Sequence, residues 1–147
     1  MIVDLNYFNI YTRVVVFLLL GVASYFDFKE LRIPDKLNLG FLILRLALIP
    51  FISFSWGNIY GLIVGMLIIL IPAMIKNKPM GGDIKMLGVL GLYLGAKNVL
   101  ILLIGTVILA FLYFLLIYIK KESKENIPLA PFVLCSFILM NIVSFFI

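Results

Sequence analysis

The sequence contains no histidine and a single cysteine, Cys135. The first absence removes the commonest general base, the Ser-His and Cys-His nucleophile pairs and the usual zinc sites. A lone cysteine in an apolar run allows no intramolecular disulfide and belongs to no Cys/His metal set. Charge is scarce as well: 13% of the 147 residues are charged and 65% are hydrophobic, whereas a soluble domain is about a quarter charged. The chain lacks the polar material to cover a globular surface in water. That excludes a soluble enzyme, a disordered chain and a nucleic-acid-binding domain. With a mean hydropathy of +1.23, most of the chain is expected to have lipid as its solvent. Any proton chemistry must come from carboxylates, lysines or tyrosines.

What is present is a series of apolar runs, read against about 20 residues per membrane crossing. They cover roughly residues 14–28, 37–54, 59–75, 84–119 and 127–147. The run from Ile84 to Ile119 is too long for one crossing of a hydrocarbon core about 30 Å thick. It is divided at Gly95-Ala96-Lys97-Asn98. The expectation is one all-α integral membrane domain over residues 1–147 with six transmembrane helices. The fourth, from Ile84 to Ala96, spans only about 20 Å and is unusually short. Gly57, Gly61 and Gly65 repeat every four residues in the third helix, and Gly88, Gly91 and Gly95 share a face of the fourth. Both sets suggest close helix packing.

The positive charges are unevenly placed. Lys29, Arg32, Lys36, Lys76, Lys78, Lys85, Lys120, Lys121 and Lys124 fall on one side by parity of crossings, and Arg13 and Lys97 on the other. The positive-inside rule makes the first side cytoplasmic and puts both termini outside. Arg13, the first apolar run and Gly21-Val22-Ala23 loosely imitate a signal peptide. The long stretch before the run, which includes Asp4, argues for a retained helix instead. Arg45 falls near the middle of the second helix, where an arginine faces the bundle interior and a structural pairing is expected.

Of the seven acids, Glu122, Glu125 and Glu30 sit among basic residues and read as solvated. Asp35 follows Pro34 and reads as the N-cap of the second helix. Asp27 and Asp83 differ. Asp27 closes an apolar run, and Asp83 follows Gly81-Gly82 at the start of the short helix. Parity puts both at one membrane face, where they could meet. Two close carboxylates share a proton. One can draw a proton from a water that attacks a peptide carbonyl while the other protonates the carbonyl oxygen. The helix start and Lys85 near Asp83 suggest that Asp27 carries the shared proton more often. Taken singly, each aspartate has a plainer reading: Asp27 as an interfacial anchor beside Lys29, Asp83 as part of an ordinary Gly-Gly-Asp helix cap.

Three segments carry a resemblance. Asp27-Phe28-Lys29-Glu30-Leu31-Arg32-Ile33-Pro34-Asp35 resembles the first motif of the type IV prepilin peptidase family. Gly81-Gly82-Asp83-Ile84-Lys85 resembles its Gly-x-Gly-Asp motif with the following Lys, although Met80 stands where the pattern has its first glycine. Ile127-Pro128-Leu129-Ala130-Pro131-Phe132 resembles the Pro-x-x-Pro-Phe segment that opens the family's last helix. The resemblance implies a membrane aspartyl protease with Asp27 and Asp83 catalytic and Gly81, Gly82, Lys85, Pro34 and Asp35 in support. It implies no cofactor or metal. Its partners would be prepilin-like precursors and the bilayer, with cleavage of a short basic leader at the cytoplasmic face of the cell membrane. The loops are short and lack zinc-binding cysteines, so peptidase activity without methylation is expected. Two other readings remain at this stage: a catalytically inactive relative scaffolding a pilus or secretion assembly, and a small transporter with an ion path along Asp27, Asp83 and Arg45.

Overall fold

A computed structural model describes residues 10–30, 32–50, 54–76, 81–120 and 128–146. Among the described residues the structure is all-helical, with five helices: α1 (Ile10–Glu30), α2 (Asp35–Ala47), α3 (Trp56–Lys76), α4 (Gly81–Lys120) and α5 (Ala130–Phe146). The expected fourth and fifth helices are joined as α4, whose one non-helical residue is Gly95 (φ 80°, ψ 165°). That backbone region is essentially restricted to glycine. The break therefore falls where the sequence suggests it, but it is one residue long. Lys97 and Asn98 are already helical.

The contacts around α4 show that the chain folds back at Gly95. A Cβ added at Gly61 or Gly91 would strike the other residue's backbone, one at Gly65 would strike Leu87 O, and Gly95 faces Gly57. These pairs run α3 antiparallel to the first half of α4. Beyond the break, Ser136 Oγ donates to Leu102 O (2.8 Å) and the Tyr113 ring meets Phe132 (5.2 Å between centroids). The second half of α4 is thus antiparallel to α5. At Gly61, Gly65 and Gly91 the stripes act as expected, since no side chain fits where the backbones touch, whereas a Cβ at Gly88 would meet only the flexible side chain of Met66.

α2 is shorter than the expected run to residue 54. It ends at Ala47, with Leu48 N bonded to Leu44 O at 3.0 Å. Pro50 accounts for this, because the residue before a proline is disfavoured in the helical region. Thirteen residues give a helix of about 20 Å, so α2 as well as the first half of α4 is shorter than the hydrocarbon core.

The core lies where α1, α4 and α5 meet. On α1, Val16, Leu19, Leu20, Ala23 and Asp27 are all buried. Their spacing of three and four residues is one helical stripe, so the packing that buries Leu20 and Ala23 also turns Asp27 inward. Opposite them lie Met86, Leu87 and Leu90 of α4 and Val133 and Phe137 of α5. The outward faces carry exposed apolar side chains such as Phe17, Leu18, Ile71, Ile104, Val107 and Phe111. In water such a surface would associate. Among the described residues, α1 (Ile10–Glu30) and the α4 stretch Gly81–Ile119, taken across its fold-back, are long and apolar enough to cross a membrane, and the apolar stretches Trp56–Ile71 of α3 and Ala130–Ser144 of α5 are shorter.

Candidate active site

The end of α1, the starts of α2, α4 and α5, and the segment Arg32–Pro34 converge at one end of the bundle. Asp27 is 4% exposed. Its Oδ2 accepts a hydrogen bond from the backbone N–H of Ala130 at 2.8 Å, the first residue of α5. A buried carboxylate needs such a partner, since burying a charge without one is costly. Asp27 is therefore a member of the core and not an interfacial anchor; Lys29 instead lies 6.0 Å from the Tyr25 ring centroid.

Asp83 stands in the first turn of α4. It is half-buried and lies within electrostatic range of Asp27. The two residues that the sequence singles out, 56 positions apart in the chain, thus stand at the same end of the bundle. Of the two premises that put the shared proton on Asp27, the helix start now applies to both aspartates, since Asp27 caps α5. The other moves away: Lys85 Nζ pairs with Asp35 Oδ2 at 2.8 Å.

That ion pair belongs to a three-part latch between the two motifs. The second part is Asn38 Nδ2, which donates to Gly82 O at 3.0 Å. The third is a close backbone approach: a Cβ on Gly82 would lie 2.7 Å from Ile33 O. Asp35 accordingly does not cap α2. The N-cap position is Pro34 (φ −63°, ψ 132°), without a side-chain cap bond. Proline extends the chain into the helix start, and Asp35, one residue further on, turns its carboxylate toward α4. Among the described residues no atom lies within 4 Å of a Cβ added at Gly81, and Gly95 is the only described glycine with positive φ. Gly81 is therefore not a position whose backbone angles require glycine. Met80 itself, Asp4, Leu31, Glu122 and Glu125 lie outside the described residues. Glu30 is exposed, in keeping with a solvated role.

Arg45 is 1% exposed and is indeed used structurally. Its Nε donates to Leu92 O at 3.3 Å, and Asn58 Nδ2 donates to the same oxygen at 2.9 Å. Leu92 lies three residues before the Gly95 break, where a helix end leaves carbonyls without intrahelical partners. The guanidinium also lies over the Tyr93 and Phe54 rings, 5.6 and 5.8 Å from their centroids. From Asp83 to Leu92 the helix rises about 14 Å. Arg45 thus holds the far end of the half-helix that carries Asp83.

Sequence reasoning did not find Asn38, Asn58 or the N–H of Ala130. For Asn38 a signal exists: a polar side chain one turn into an otherwise apolar helix, three residues after Asp35. For a backbone N–H there is none.

With this geometry in view, comparison with known proteins gives one positive finding. The model of the type IV leader peptidase family matches residues 14–115. That stretch contains both aspartates and the whole latch but not the start of α5. No curated protein and no solved structure matches.

Proposed function

The chain belongs to the type IV leader peptidase family, and on that premise we propose that it is an integral membrane aspartyl endopeptidase. It removes the short basic leader of prepilin-like precursors at the cytoplasmic face of the membrane. The whole chain forms one domain, its six helical segments are six crossings, and both termini lie outside. The observation that carries the reading is that Asp27, buried and bonded to the start of α5, and Asp83, in the first turn of α4, stand at one end of the bundle within electrostatic range of each other.

The chemistry follows from two carboxyl groups sharing one proton. The ionised member takes a proton from a water held between them. The hydroxide so formed bonds to the scissile carbonyl carbon as the other member gives its proton to the carbonyl oxygen. The tetrahedral diol then collapses: the C–N bond breaks, the leaving amine takes up the proton removed from the water, and one diol hydroxyl returns its proton to the second carboxylate as the carbonyl re-forms. No histidine is needed. The titration belongs to the pair and not to one residue. The basic leader is attracted by the negative charge of the pair, while the apolar segment after the cut remains in the bilayer.

The test is direct. Protein purified in detergent is incubated with full-length prepilins, and the products are weighed by mass spectrometry. The expected product is a mature pilin shortened by its leader. A folded protein that cleaves no member of a broad prepilin panel would favour the inactive scaffold instead.

A further inference from the structure

The last helix begins at Ala130-Pro131-Phe132, and its first turn has an unusual account of backbone donors. The N–H groups at a helix start have no intrahelical partners. Here Phe132 N–H turns back to Leu129 O (3.1 Å), as does Val133 N–H (3.2 Å). Pro131 has no N–H at all. The first turn is left with one donor, Ala130 N–H, and it goes to Asp27 Oδ2 at 2.8 Å inside the protein. Ala130 is fully buried and Asp27 nearly so, so bulk water does not compete for either group. The contact joins residues 103 positions apart.

We propose that the Ala130 N–H, isolated by Pro131, is a positioning group for catalysis: it fixes the rotamer of Asp27 so that the other carboxylate oxygen faces Asp83. This inference rests on the peptidase reading and adds a residue that acts through Asp27 without touching substrate. Oδ2 is held by the N–H, which leaves Oδ1 to address the water and the shared proton. A carboxylate free to rotate would spend part of its time with neither oxygen turned toward Asp83. The proline has a clear part in this. An N–H at position 131 would be a second donor at the same helix start and would offer Asp27 an alternative bond.

The test changes one backbone atom. Replacing Ala130 by its α-hydroxy counterpart turns N–H into an ester oxygen and leaves the side chain intact. The control is the same replacement at Phe132, which removes a first-turn donor that does not touch Asp27. Hydrogen bonds to charged groups are strong enough that kcat for prepilin cleavage is expected to fall about ten- to a hundredfold in the Ala130 ester, with KM unchanged. The Phe132 ester is expected to keep its kcat at a similar thermal midpoint. Equal kcat in the two esters would overturn the proposal. A second measurement needs no ester. In 15N-alanine-labelled protein the Ala130 amide proton is expected to move upfield in Asp27→Ala, and an unmoved resonance would overturn the contact. A wild type that cleaves no prepilin would instead refute the peptidase reading, leaving the amide measurement to decide the contact separately.

Discussion

Gly81 and Gly82 are neighbours in one motif, yet the structure assigns them opposite sensitivities. An alanine at 82 would put its Cβ 2.7 Å from Ile33 O and 3.2 Å from Ile33 Cβ. An ordinary carbon–oxygen contact is about 3.4 Å, so the two segments must part by about 0.7 Å. Ile33 cannot yield cheaply: it is 3% exposed and precedes Pro34, whose φ is fixed by its ring. Overpacking of this kind costs about 1–3 kcal/mol. Helix propensity returns up to about 1 kcal/mol, which leaves a loss of about 0–2 kcal/mol. The larger effect is on catalysis. A displacement of about 1 Å can cost about a hundredfold, so about 0.7 Å at the residue preceding Asp83 corresponds to more than about tenfold in kcat/KM. At Gly81 an added Cβ meets no atom of the described residues within 4 Å. Gly81→Ala is therefore expected to stay within about twofold of wild type, because no overlap has to be relieved. The assay is prepilin cleavage under kcat/KM conditions, with thermal unfolding in the same detergent to separate folding from chemistry. Equal activity in the two variants would refute the claim that the Gly82–Ile33 approach sets the position of Asp83.

Other consequences follow from the same contacts. Gly95→Ala should lower stability by about 1–3 kcal/mol through backbone strain, since the nearest atom to an added Cβ is 3.7 Å away; thermal unfolding in detergent measures it. Arg45→Met should cost about 1–3 kcal/mol, and in a double-mutant cycle with Asn58→Ala the two should couple by more than about 0.5 kcal/mol, because both serve Leu92 O. The Lys85–Asp35 pair is about half exposed on both sides, so Lys85→Met should change stability by less than about 1 kcal/mol, an effect that high salt removes.

Much of this arrangement is legible in the chain itself where one residue type has one physical use. Gly95 marks the fold-back because few other residues adopt its backbone angles. The four-residue glycine repeats mark the helix pair that touches backbone to backbone. Asp27 sits on the same three-and-four spacing as Val16, Leu20 and Ala23, which places it inward, and Asp83 opens its helix after two glycines. The partners are less legible. Asp35 looks like a cap because caps depend on local sequence, but its carboxylate is taken by Lys85, fifty residues away. The end of α2 is set by Pro50, whose influence on the preceding residues is weaker than the apolar run is long. The Ala130 N–H is a backbone group that every residue but proline has. Only its isolation by Pro131 singles it out, and that is visible only once Asp27 is seen beside it.

The central claim is that Asp27 and Asp83 work as one pair. The measurement is the cleavage rate of a prepilin by wild type, Asp27→Asn, Asp83→Asn and the double variant, each shown to be folded. Residues that act as a unit are not additive. The account predicts that each single substitution abolishes cleavage to the level of the double variant. Substantial cleavage remaining in either single variant would contradict it.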